Sequence, residues 1–362
     1  MNESIDDAES MLEVFEIDTL KNISFSGGGF KGVAFLGVLK ALLENANILK
    51  NLSSVAGTSV GSVAALALLL KCPYNESYEF MLKLLNDFST LYEINFFTFI
   101  KNARNLKNNY GIHDNNHLKE RIKFFLFQKT NENDITFAQL YEKIPIRLIV
   151  TATCLESLTP FYFSYESTPN ASVAEAVAIS CNIPFIFSSE KFEDKTMVDG
   201  CVIERLPMQC WPEDEIPETL AFLVQSKNEN FNPEYTATQI NDIGDFISKV
   251  TKALQKNRDE SFYEKYKDCI TIINSNSISA FKHTPSKAQI TQAIWSAYFQ
   301  TMTTLRKKNL VADNVNVAEH ISSIILESGK EGDLENEYSY LSNVFLYSIL
   351  LLLIVTLLNL LR

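Results

Sequence analysis

Leu52-Ser53-Ser54-Val55-Ala56-Gly57-Thr58-Ser59-Val60-Gly61-Ser62-Val63-Ala64-Ala65-Leu66-Ala67-Leu68-Leu69-Leu70 is an apolar run broken by one tight turn. Its first half predicts a short strand, Leu52 to Ala56, that ends at Ser59. Its second half, Val60 to Leu70, is almost wholly apolar and predicts a helix buried against a sheet. The join, Gly57-Thr58-Ser59-Val60-Gly61, reads G-x-S-x-G, a strand-to-helix turn that lifts a serine hydroxyl clear of its sheet. Gly57 and Gly61 leave room for the crowded backbone of such a turn. The helix that follows points its positive end at the hydroxyl, which favours an alkoxide or a tetrahedral oxyanion there.

The same pattern stands upstream. Asn22 to Ser26 reads as a strand that runs into Gly27-Gly28-Gly29-Phe30-Lys31-Gly32, and Val33 to Glu44 has a helical apolar period. Strand, turn and helix, twice over, open an α/β fold with a parallel sheet. The glycines match G-x-G-x-x-G, but a dinucleotide site wants an acidic residue about 20 positions on. No Asp or Glu occurs between Asn45 and Lys71. The glycine run is better used as an oxyanion hole, in which amides of Gly27, Gly28 and Gly29 act beside that of Val60.

A serine nucleophile needs a base. The four histidines are His113, His117, His283 and His320, and none follows an aspartate in the order of the usual triad. An aspartate serves instead if burial raises its pKa and it touches the serine. Asp199, at a strand end and followed by Gly200, is the candidate; taken alone it reads more readily as a turn aspartate that caps its own backbone. His113-Asp114-Asn115-Asn116-His117 imitates H-E-x-x-H on one helical face. With a shorter aspartate in the glutamate position and no third ligand apparent, it reads more simply as Asp114 capping a helix through Phe125. No metal and no cofactor are expected.

Further along, a helical stretch is expected from about Tyr78 to Phe127, with strands at Ile146 to Thr153 and Phe161 to Ser164. A helix over Ser172 to Ser180 precedes strands at Thr196 to Asp199 and Leu220 to Gln225. An amphipathic helix over Tyr235 to Arg258, a strand over Cys269 to Asn274 and a helix over Ala288 to Leu305 complete the pattern.

Taken together, Gly27-Gly28-Gly29-Phe30-Lys31-Gly32, Gly57-Thr58-Ser59-Val60-Gly61 and Asp199-Gly200 resemble the three signature blocks of the patatin-like phospholipases. Tyr110-Gly111-Ile112-His113-Asp114, Thr136-Phe137-Ala138-Gln139-Leu140 and Ala178-Ile179-Ser180-Cys181-Asn182-Ile183-Pro184 are weaker echoes. The resemblance covers about residues 20 to 305. It implies a three-layer fold with a mostly parallel central sheet flanked by helices, a Ser59–Asp199 dyad, no metal, and lipid acyl esters as substrate. Lys31 stands where the family has Arg or Lys, and Cys201 where it usually has Gly or Ala. A catalytically inactive, membrane-tethered binding or scaffold protein on the same fold is the rival reading, and the intact Ser59, Asp199 and glycine run count against it.

The chain has 362 residues, and a net charge of −12 argues against nucleic acid as a bulk electrostatic partner. Six cysteines without a C-x-x-C pair read as reduced thiols. Val344 to Leu361 holds no charge over 18 residues, and at roughly 27 Å as a helix it matches a bilayer core. The expected plan is an acidic N-terminal tail (1–19), a hydrolase domain (20–310), a polar acidic spacer (311–340) and a transmembrane tail anchor (341–362), with the catalytic domain in the cytosol. Whether a protein activator is needed is not legible.

Overall fold

The computed structural model describes residues 20–91, 110–225, 262–275, 278 and 285–311. Its centre is an eight-stranded sheet whose main path runs β10 (Ile270–Asn274), β9 (Thr219–Gln225), β1 (Asn22–Phe25), β2 (Ser54–Thr58), β4 (Arg147–Cys154), β8 (Lys195–Asp199) and β7 (Glu190–Phe192), with β5 (Thr159–Phe163) also paired to β4. From β10 to β4 every pairing is parallel. Beyond β4 the pairings with β5 and β8, and of β8 with β7, are antiparallel. Two further strands, β3 (Gly111–His113) and β6 (Phe185–Phe187), pair apart from this sheet.

Alternation along the strands assigns the two faces. Ile23, Phe25, Val55, Leu148, Val150, Leu220, Phe222 and Val224 point into the larger core. The helices α1 (Phe35–Glu44), α2 (Val60–Leu69), α6 (Val173–Ser180) and α7 (Lys287–Lys307) bury their apolar residues in that core. Phe25 anchors it, edge-on to Phe35 at 5.3 Å and stacked near Phe222 at 5.6 Å. Ala221 and Leu223 face the other way, against Leu206, Met208, Tyr263 and Tyr266; Ala56 and Ile149 face Trp211. The helix expected over Tyr235 to Arg258 lies outside the described residues, as does the apolar span Val344 to Leu361.

The expected elements along the sheet are present within a residue or two, and α7 opens on a capping box between Ser286 and Gln289. One expectation needs correcting. The single helical stretch from Tyr78 to Phe127 is instead α3 (Tyr74–Leu91) and α4 (Asn116–Thr130), and between them β3 pairs with β6. A short helix α5 (Phe137–Lys143), capped by Thr136 and Gln139, completes the described set.

Candidate active site

The elbow forms as its spacing requires. β2 ends at Thr58, α2 starts at Val60, and Ser59 between them has φ 55° and ψ −129°. A left-handed φ is uncommon for a non-glycine residue and costs on the order of 1–3 kcal/mol, so the surroundings must hold it. Its neighbours leave no room for side chains: a Cβ on Gly57 would sit 2.3 Å from the Gly61 carbonyl oxygen, and one on Gly61 2.3 Å from that of Phe25. The first turn of α2 is thereby pressed against the end of β1.

Hydrogen bonds fix the strained serine. Its amide donates to Ser180 Oγ at 2.8 Å, and that hydroxyl donates in turn to the Thr151 carbonyl at 2.6 Å. Its own carbonyl accepts from Ser62 Oγ at 2.6 Å. What remains is the side chain, and Ser59 Oγ donates to Asp199 Oδ2 at 2.8 Å.

Asp199 reaches that position from the antiparallel side of the sheet. β4 pairs with β2 so that Thr151 is level with Thr58, and with β8 so that Ala152 is level with Asp199. The two residues thus meet at the ends of β2 and β8, on either side of one shared strand. The Asp199 amide donates to the Asn182 carbonyl, and its Oδ1 accepts from the Cys201 amide at 2.8 Å. The carboxylate thus makes both contacts: one oxygen caps its own turn and the other accepts from the serine hydroxyl. Asp199 is 3% exposed and Ser59 6%. Burial pushes the Asp199 carboxyl up to about 6, against the opposing pull of the Cys201 amide and the Ser59 hydroxyl. A buried carboxylate that still ionises near neutral pH and touches one hydroxyl can take a proton from it.

The glycine loop runs over the same edge of the sheet. The Gly27 amide does not face the serine; it donates to the Arg205 carbonyl at 2.8 Å. That corrects its expected use as an oxyanion donor and leaves Gly28, Gly29 and Val60. Val60 opens α2, so its amide has no acceptor within its own helix. Lys31 is buried at the start of the turn that leads to α1, with Gly32 beside Val60. Gly200 packs against the Thr151 carbonyl.

Beside Ser59 opens a pocket walled by Phe30, Val60, Val63, Leu118, Cys181 and Ile183, and along one side by Met81, Leu84, Leu85 and Phe88 of α3. Apart from the serine hydroxyl the lining is apolar. Those four α3 positions have the i, i+3, i+4, i+7 spacing of one helix face. The period was visible in the sequence, its destination was not. Ser180 was quoted there within a longer segment but had no role.

The two histidines of the zinc-like segment do not share a helical face. His113 is on β3 and His117 on α4, where its Nε2 lies 3.4 Å from Asp87. Asp114 Oδ1 accepts from the Asn116 amide at 3.1 Å, and Asn115 is the residue at the N-cap position. His283 and His320 lie outside the described residues.

Residues 23–209 match the model of the family described as patatin-like phospholipase. An uncharacterized protein, R571, of Acanthamoeba polyphaga mimivirus is 28% identical over 261 residues, which cover 71% of this chain and 84% of that protein. Among solved structures, VipD from Legionella pneumophila is similar with a TM-score of 0.51 and 18% identity, over 80% of this chain and 67% of VipD. ExoU of Pseudomonas aeruginosa, in its complex with SpcU, gives 0.45 and 16%, over 81% of this chain and 52% of its own. The chain thus spans about half the length of ExoU.

Proposed function

This chain belongs to the patatin-like phospholipase family, a family of lipid hydrolases, and from that premise we propose that it cleaves fatty acyl esters of membrane lipids through Ser59 and Asp199. The observation that carries the proposal is the 2.8 Å hydrogen bond from Ser59 Oγ to the buried Asp199 carboxylate, made at the rim of an apolar pocket. Asp199 takes the hydroxyl proton as Ser59 Oγ attacks the acyl carbonyl. The amides of Gly28, Gly29 and Val60 are the donors suited to the oxyanion that forms. Collapse of the tetrahedral intermediate breaks the ester C–O bond, and the departing alkoxide takes from Asp199 the proton that came from Ser59 and leaves as the alcohol. Water, deprotonated by the same carboxylate, then releases the fatty acid from the serine ester.

The pocket supports an acyl chain as the group bound there, because away from Ser59, Gly29 and Cys181 its lining side chains are hydrocarbon or thioether and offer a headgroup nothing to bond. The activity is of the phospholipase A or lysophospholipase type. The apolar span at 344–361 is proposed to tether the domain (20–310) to the bilayer that supplies its substrate, through the spacer at 311–340. Incubation of the full chain with mixed phospholipid vesicles, followed by mass spectrometry, tests the reading. Free fatty acids and lysolipids should accumulate with wild type and not with Ser59→Ala. Intact lipids after prolonged incubation with wild type would refute it. Carbonate-resistant membrane association of the full chain tests the tether separately.

A further inference from the structure

Gly27 is gripped at both of its backbone groups by one residue. Its N–H donates to the Arg205 carbonyl at 2.8 Å, and its own carbonyl accepts from Arg205 Nε at 3.1 Å. The guanidinium also donates through Nη2 to the Val224 carbonyl, near the end of β9. On the third side, a Cβ on Gly27 would fall 2.0 Å from Cys201 Sγ, so the thiol occupies the space a side chain would need. The grip comes from the segment that starts at Asp199, six residues before Arg205. Base and glycine loop are thereby held in one frame.

From this geometry we propose that Arg205 is a positioning residue for the oxyanion hole. It fixes Gly27 so that the amides of Gly28 and Gly29 are presented to the carbonyl attacked by Ser59. A planar guanidinium suits the task because its Nε–H and Nη–H donors span two carbonyls at once, which a lysine ammonium on a flexible stem does less well. A donor that drifts from the oxyanion loses transition-state stabilisation and leaves substrate binding, which the apolar pocket governs, largely intact. The inference rests on the Ser59–Asp199 reading.

The test uses the full chain with Arg205→Lys and Arg205→Gln, assayed on a medium-chain p-nitrophenyl ester. Rates are expressed per active site, by titration of Ser59 with a fluorophosphonate. For Arg205→Gln, kcat per site should fall about 10- to 100-fold with KM within about twofold, and Arg205→Lys should lie between it and wild type. Affinity for an aliphatic trifluoromethyl ketone, which forms an oxyanion on the serine, should fall in parallel with kcat. Binding of the product fatty acid should not change. A per-site kcat within threefold of wild type in Arg205→Gln, or equal losses of ketone and fatty-acid binding, would overturn the proposal. If Arg205→Gln does not fold, Arg205→Lys decides by the same ketone-to-fatty-acid comparison. Should wild type itself fail to react at Ser59, the fault lies with the dyad and not with Arg205 alone.

Discussion

The two halves of the sheet deliver Ser59 and Asp199 by different means. Ser59 comes from the parallel half, where β2 runs straight into α2 and the turn itself aims the hydroxyl. Asp199 comes from the antiparallel half, where β8 must pair in one register with β4 before its carboxylate meets the serine. Ser59 is placed chiefly by its neighbours in sequence and Asp199 by partners far from it. A local device makes a strong sequence signal, and a register made by long-range pairing makes almost none.

The largest break in that comparison is Ser59→Ala, which should reduce ester hydrolysis to background while circular dichroism and the melting temperature stay near wild type. A smaller residue in the elbow removes one hydroxyl and no packing. Asp199→Asn keeps the shape and the hydrogen bond but cannot accept a proton, and should cost at least ~100-fold in kcat. Should it cost less than tenfold, the antiparallel half would contribute fold and not chemistry.

Ser180→Ala sharpens the comparison, because α6 supplies the acceptor that holds the strained elbow from outside. The Ser59 amide would be buried without a partner, a loss of about 1–3 kcal/mol, and a chemical denaturation midpoint would register it. Turnover should fall by roughly tenfold. Smallest of all, His113→Ala with His117→Ala should leave kcat within a few-fold, and a chelator should change nothing. Activity lost to a chelator and restored by zinc would contradict this.

Legibility in the sequence follows the same division. Buried parallel strands are near-continuous apolar runs, so β1, β2, β4 and β9 were readable to within a residue or two, as were α1 and α2. β3, β6 and β7 have three residues each and are too short to show a period. That is why one helix was expected where α3, β3 and α4 stand. At the site, Ser59 was marked by its own turn. Asp199 was reached by elimination of the histidines and by resemblance. Gly27 was grouped with its neighbours because a run of glycines does not show which amide is already taken; Arg205, 178 residues away, takes it. The part Ser180 plays was hidden for the same reason, with Ser59 121 residues off.

The most direct test of the dyad is the pH dependence of fluorophosphonate labelling, with the modified peptide mapped at each pH. Burial raises the Asp199 carboxyl to about 6, so protonation below that pH removes the base and the rate falls as pH falls. Wild type should be labelled at Ser59, at a rate that rises through a pH of about 6 and then levels. In Asp199→Asn labelling should be slow, with no inflection there. Label on another residue, or the same inflection in wild type and Asp199→Asn, would contradict the account.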